Sequence, residues 1–232
     1  MMEGAFSRSA ALLGEAAMER LAAARVLVVG VGGVGGWCAE ALARTGVGHI
    51  AVMDDDVVAE SNLNRQCPAT VSSIGRMKVD AMRERLLAIN PVADVYARAE
   101  RFTGAEDIDG YDAVVDAIDS VDCKAALVLK ATEKGVPIFS SMGAALRTDP
   151  TKVKVTRFDK VSGDGLARAL RRRFREGGRG LPKFECAWSE EPPRACESRG
   201  SLMQVTATFG MCLAAMVVDM LTGRASLRGQ SR

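Results

Sequence analysis

The sequence predicts an α/β protein with a doubly wound, mostly parallel sheet and an antiparallel C-terminal extension. Two observations carry this. Short apolar runs alternate with helix-length amphipathic stretches over residues 25–141, as they do where helices cross over between parallel strands. The first run, Val26-Leu27-Val28-Val29, leads straight into a glycine cluster that opens a helix. Consecutive aliphatic residues suit a strand buried on both faces.

Taken in order, residues 1–24 form an N-terminal arm that carries Phe6-Ser7-Arg8 and a helical pattern over 15–23. After the strand at 26–29, Gly30, Gly32 and Gly35 fit the G-x-G-x-x-G spacing, with Gly33 and Gly36 as extras, and a helix spans 37–45. This is a Rossmann-like arrangement: glycines allow a tight turn and close approach of phosphate to backbone amides at a helix N-terminus. A strand at 49–53 ends in Asp54-Asp55-Asp56, and the polar loop 60–66 follows. A helix over 75–90 stops at Pro91, and 92–99 alternates as a strand. A buried strand at 112–117 runs into Ile118-Asp119-Ser120, a helix at 122–134 ends at Gly135, and 137–141 is a further strand.

Beyond Met142 the pattern changes. Residues 152–158 alternate as a strand able to pair at a sheet edge. The helix at 165–176 puts Leu166, Leu170 and Phe174 on one face and Arg168, Arg171, Arg172 and Arg175 on the other. Residues 177–200, rich in Gly, Pro and charge, read as a mobile loop. An apolar helix at 205–221 ends at Gly223. The whole, 1–232, reads as one domain: the arm, a nucleotide-binding core at 25–145, and an elaboration at 146–232 with a basic helix and loop.

Composition excludes several classes. The 232 residues are 48% hydrophobic, enough for a sizeable core, and the net charge of +2 implies no overall pull on nucleic acid. No apolar run of about 18 residues is present; the stretch 209–221 is short and contains Asp219, so no membrane span is expected. Six cysteines lie scattered with no C-x-x-C pair, which argues against structural zinc and for reduced thiols, so a cytoplasmic location is expected. The single histidine, His49, starts a strand away from the glycine turn and reads as structural, so a Ser-His-Asp or Cys-His hydrolase is disfavoured.

The glycine motif alone does not separate a dinucleotide-binding dehydrogenase from an ATP user. Asp54 sits where a ribose hydroxyl is held in either. A triphosphate needs cations and Mg²⁺, whereas a bridging pyrophosphate is largely neutralised by the helix terminus. Arg65 on the polar loop and Lys78 at a helix start are candidate phosphate clamps, and Asp119 at a strand end a candidate Mg²⁺ partner. The bland alternative is that Arg65 and Lys78 are solvated surface charges.

Gly30-x-Gly-Gly-Val-Gly, Asp54-Asp55-Asp56, Asn62-x-x-Arg65-Gln66, Gly75-x-x-Lys78 and Ala117-Ile118-Asp119-Ser120, in this order over residues 6–145, resemble the ubiquitin-activating-enzyme superfamily in its prokaryotic single-domain branch. The resemblance implies an ATP site at Gly30, Gly32, Gly33, Gly35, Asp54, Asp56, Asn62, Gln66 and Ser120. It assigns Arg65 and Lys78 to the triphosphate, Asp119 to Mg²⁺, and Arg8 to the phosphates of a partner subunit, hence a homodimer. Glu40-Ala-Leu-Ala-Arg-Thr-Gly-Val-Gly, Ser141-Met-Gly-Ala, Asp149-Pro-Thr and Val205-Thr-Ala-Thr-Phe-Gly are similar to the tRNA threonylcarbamoyladenosine dehydratase family. That implies adenylation of the threonyl carboxylate of the modified base, then ring closure by the neighbouring urea with loss of AMP. An ionised carboxylate needs no general base for the first step, only neutralisation and positioning.

On that resemblance the basic patch Arg171, Arg172, Arg173, Arg175, Arg179 and Lys183 would meet tRNA backbone phosphates; the alternative is a solvated helix face. Two departures stand out: Cys67 occupies a position where many relatives have His, and Gly163-Asp164-Gly165 replaces a more usual Asp-Pro. Cys186 is either a nucleophile or a packed thiol, and Trp188 either a base-stacking platform or an apolar anchor. The alternatives are adenylation of the Gly-Gly tail of a sulfur-carrier protein, disfavoured by the missing zinc cysteines, a dehydrogenase, and a silent nucleotide sensor. Association with a sulfur-relay protein and binding of a monovalent cation are left open.

Overall fold

Alternation decides which side of the sheet each strand residue faces. The first strand, β1 (Arg25–Val29), sends Val26 and Val28 into one apolar core and Leu27 and Val29 into the other. The second, β2 (His49–Met53), does the same with Ile50 and Val52 against Ala51 and Met53. Strands of this kind need cover on both faces. The computed structural model describes residues 4–198 and 200–224. In it β1 and β2 join β3 (Asp94–Arg98), β4 (Ala113–Asp116), β5 (Ile138–Ser141), β6 (Val153–Arg157) and β7 (Glu185–Ser189). The seven strands form one sheet in the order β3-β2-β1-β4-β5-β7-β6. Val28 pairs in parallel register with Val52 on one side and Val115 on the other. The β6–β7 pair alone is antiparallel, from Val153 opposite Ser189 to Arg157 opposite Glu185. The doubly wound sheet with an antiparallel extension is as the sequence predicts.

Helices α2 (Glu15–Ala23), α3 (Gly35–Thr45), α4 (Lys78–Ile89) and α7 (Met203–Thr222) contribute to the first core. The second is covered by α5 (Val121–Lys134) and α6 (Gly165–Glu176). Because β1 lies between β2 and β4, the chain leaves it in one direction and later returns on its other side. That reversal opens a crevice at the strands' carboxyl ends. The side chain of Asp164 caps α6 by accepting from the Ala167 amide at 2.9 Å.

Three segments differ from the sequence expectation. A further helix, α1 (Ser7–Leu13), precedes α2; none of its residues is buried, so it lacks the apolar stripe that periodicity detects. The stretch 177–200, expected as a loop, contains β7, which inserts between β5 and β6 with Cys186 to Ser189 all buried. Its partners lie far away in sequence, and the glycines, prolines and charges around it mask a five-residue strand. Arg199 of that stretch is outside the described residues. Helix α7 runs 20 residues and is long and apolar enough, by length and composition, to cross a membrane, although the uninterrupted run inside it is shorter. Half of it is buried inside the protein, across α3 and the sheet, as the cover of a core.

Gly210 makes the α7–α3 crossing possible: a Cβ there would stand 2.5 Å from the Val34 carbonyl oxygen and 3.0 Å from the Trp37 Cβ. Gly210→Ala is therefore expected to destabilise the protein by about 1–3 kcal/mol despite its higher helix propensity. Urea unfolding reads this as a lower midpoint at unchanged slope; an unchanged or raised midpoint contradicts the packing described.

Candidate active site

The glycine turn is shaped by contacts no side chain could share. Gly30 has φ +87°, and a Cβ on it would lie 2.8 Å from the Ala117 carbonyl oxygen. One on Gly35 would lie 1.8 Å from the Gly30 carbonyl oxygen. The turn is pinned from β2, where Asp54 Oδ2 accepts from the Val31 amide at 2.8 Å while Oδ1 accepts from the Asp56 amide at 2.9 Å. Burial pushes the Asp54 carboxyl above the ordinary carboxylate range, with Lys78 and the two amides pulling the other way.

Lys78 is buried, with Nζ 2.6 Å from Asp56 Oδ2 and 4.0 Å from Asp54 Oδ1. It is thus no solvated surface charge; it opens α4 and turns into the crevice wall. Asp55 pairs with Arg101 at 2.9 Å. The carboxylates of Asp54, Asp55 and Asp56 come within 4.8 Å of one another, but these cations and amides already serve them. Arg65 is half-buried on the polar loop: its Nη1 donates to Ser61 O and Asn64 Oδ1, and its carbonyl accepts from Trp37 Nε1 at 2.9 Å. Asn62 shapes that loop, its Oδ1 accepting from the Ala59 amide. Gln66 lies beneath Gly32 with a buried Oε1 that has no partner among the described residues.

On the far side of the turn, Asp119 and Ser120 are exposed in the crevice, and Asp119 makes no hydrogen bond or ion pair with any described residue. Beneath them lies an unanticipated buried network. Asp116 and Lys124 pair at 2.7 Å with both side chains fully buried, Ser140 Oγ donates to the same carboxylate at 2.6 Å, and its other oxygen accepts from the Ile118 amide at 3.1 Å. The remaining wall follows β5. Ser141 to Arg147 line it, with Asp164 and, from α7, Thr206, which lies against Gly33. The crevice so enclosed measures about 710 Å³, ample for a nucleotide and a second reactant. A charged residue ending an apolar run marks Asp116 in the sequence; nothing local marks Thr206 or Arg147.

Other candidates lie elsewhere. Arg8 is exposed on α1 and does not line the crevice. His49 is 3.5 Å from Asp94, at the opposite ends of the strands. Arg172 and Arg175 on α6 and Lys183 in the segment after it are exposed, but Arg171 leaves the face assigned to it. Its Nη2 donates to the carbonyls of Phe158 and Val161, and its guanidinium lies 5.0 Å from the Phe158 ring centroid. Four residues after buried Ala167 and three before buried Phe174, it flanks the apolar stripe and folds back over it. Arg173 pairs with Asp122 and Arg179 with Glu133. Trp188 is buried rather than presented to a base.

A doubly wound sheet with a glycine turn, an acid at the end of β2 and cations at one crevice defines a nucleotide-binding α/β protein. The chain belongs to the ThiF family, whose model matches residues 6–231. It is 37% identical over 214 residues to the tRNA threonylcarbamoyladenosine dehydratase of Escherichia coli, covering 88% of this chain and 80% of that protein. Its identity to the Bacillus subtilis enzyme of the same name is 40% over 178 residues, 75% of this chain and 70% of that one. The crystal structure of the E. coli enzyme in complex with ATP superimposes with a TM-score of 0.90 at 37% identity, over 97% of this chain and 96% of the other.

The thiols make one property of the site's surroundings measurable. Burial pushes the Cys186 thiol up to about 12 and raises Cys38 and Cys67 further, and Cys67 also donates to Glu40. Thiolate, not thiol, is the nucleophile. Under native conditions at pH 8, a disulfide reagent should label the exposed Cys196 first and these three only on unfolding. Native labelling of Cys186, mapped by mass spectrometry, would contradict its burial.

Proposed function

We propose that this chain is an ATP-dependent enzyme that dehydrates threonylcarbamoyladenosine in tRNA through a carboxyl-adenylate. The observation that carries this reading is the likeness, over nearly the whole chain, to a dehydratase crystallised with ATP, joined to the intact crevice. The threonyl carboxylate oxygen attacks the α-phosphorus and pyrophosphate leaves. The neighbouring urea group then closes on the activated carbonyl, AMP carries off the former carboxylate oxygen, and the net change is loss of water.

The residues divide this work. Asp54 receives the ribose, and the amides of Gly32 to Gly35 at the start of α3 face the phosphates. Gln66 Oε1, buried and without a partner among the described residues, would accept from the nucleotide, with Asn62 and Ser120 shaping the walls. Lys78, shared between Asp56 and Asp54, and Arg65, held only by neutral oxygens, are available to the triphosphate. Mg²⁺ would be held by Asp119, whose unengaged carboxylate suits a hard, hydrated cation; it would supply charge neutralisation at the phosphates. Arg8, outside its own crevice, would complete the site of a second copy in a homodimer. The exposed Arg172, Arg175 and Lys183 would meet tRNA phosphates, and Arg171 is left out of that set. The sulfur-carrier reading has less support, since the chain lacks paired zinc cysteines; a sulfur-relay protein is a candidate partner, and the location is proposed to be cytoplasmic.

ATP–pyrophosphate exchange tests the reaction directly. It is expected with tRNA carrying the threonylcarbamoyl group and absent with tRNA lacking it. Arg65→Ala or Asp119→Ala should each reduce it by about 10²-fold or more. Exchange with a Gly-Gly-ended carrier instead would replace this reading. For docking, Arg172→Ala with Arg175→Ala should weaken tRNA binding and lower the slope of log K against log salt by about one per lost phosphate contact; an unchanged slope removes α6 from the interface.

A further inference from the structure

The crevice has a half that the nucleotide motifs do not use. From the end of β5 the backbone runs along its wall through Gly143 to Arg147, and two adjacent residues there are in unusual states. Leu146 has φ +63°, alone among the described non-glycine residues in the left-handed region. Such backbone strain concentrates at ligand sites. Arg147 is 3% exposed and its Nη1 has no hydrogen-bond partner among the described residues, while Nη2 donates to Asp164 at 2.9 Å and Nε to the Gly143 carbonyl at 2.9 Å. A buried N–H without an acceptor is rare in a folded protein, and a ligand is one thing that supplies the acceptor.

We propose that Gly143–Arg147 is the acyl arm of the crevice, and that Arg147 Nη1 donates to an oxygen of the substrate's carboxylate and turns it toward the α-phosphorus. The assignment rests on the dehydratase reading above. Asp164 already balances the guanidinium charge, and two of its nitrogens are committed. What remains is the Nη1 group with both its N–H bonds uncommitted, matched to one carboxylate rather than to a polyphosphate. The phosphate-facing cations Arg65 and Lys78 stand at the β1–β2 side, so Arg147, after β5, acts on the other reactant. Nη1 is closed off as the arm stands, so the donor is reached when the arm shifts. Leu146 can release its strain in that shift by exchanging its backbone bonds to Gly200 (2.9 Å) and Arg194 (2.8 Å). Asp164 also caps α6, which ties the arm to the helix proposed to meet tRNA.

Arg147→Lys keeps a cation for Asp164 but removes the Nη1 donor. Its tRNA-dependent ATP–pyrophosphate exchange should fall about tenfold or more in kcat/KM for the modified tRNA. ATP affinity measured without tRNA should stay within about twofold of the wild type, a split that general loosening of the fold would not produce. If that variant does not fold, Arg147→Gln with Asp164→Asn, which replaces the buried pair by neutral amides, is read the same way. Undiminished exchange in the variant, or ATP affinity falling by the same factor as exchange, overturns the acyl arm while leaving the dehydratase reading intact. No exchange by the wild type with modified tRNA overturns both.

Discussion

The backbone contact between the glycine turn and the end of β4 is the constraint on which the site depends. The Gly30 amide donates to Met53 O at 2.8 Å and the Ala117 amide to Val29 O at 2.9 Å, so the ends of β1, β2 and β4 are tied at one level. With those ends level, Asp54 and Asp119, which follow β2 and β4 by a residue or a few, open into the same space. A side chain at position 30 would push the β4 loop away and carry Asp119 with it. Glycine there costs conformational entropy in the unfolded chain, and the close approach it permits sets the crevice width.

The charges of the site are arranged in two layers. At the surface of the crevice, each acid after β2 has a cation or amide within reach, so the crevice is not an acidic funnel that would repel a polyphosphate. Below it lies the fully buried Asp116–Lys124 pair, held also by Ser140. A buried pair adds little stability in itself, but removing one partner costs about 3–5 kcal/mol. Here its effect is geometric: Asp116 accepts from the Ile118 amide and so fixes the turn that presents Asp119. Arg147 and Asp164 repeat the device on the β5 side, where Asp164 holds the Gly143 amide and the start of α6 together.

What was legible in the sequence was local. The β1–glycine–α3 unit, the strand ends at Asp54 and Asp119 and the extents of α2, α5 and α6 follow from apolar periodicity, glycine spacing and stop signals within a few residues of one another. Features set by distant partners were not. Strand β7 is recognisable only from the β5 and β6 edges it joins. The inward turn of Arg171 depends on carbonyls of the Phe158–Val161 segment. Lys124 looks like an ordinary helix lysine until β4 and β5 bury it. The exposed helix α1 has no stripe to betray it, and the burial of Cys38, Cys67 and Cys186 is encoded by no spacing.

The C-terminal helix shows how a segment with a purely apolar signature becomes part of a polar site. Gly210 lets α7 lie directly on α3, the helix whose N-terminus opens onto the crevice. This brings Thr206 against Gly33, which the Arg65 stem also flanks. The residues just before α7 reach both halves of the crevice at once. Ser201 O accepts from Asn64 Nδ2 on the polar loop, and Gly200 O accepts from the Leu146 amide on the β5 side, each at 2.9 Å. Arg65 and Arg147 are thus joined through one short stretch of backbone rather than through the sheet. Through residues 200 and 201 the late part of the chain braces the β5 wall and the polar loop of the crevice together, a contact that its composition alone does not disclose.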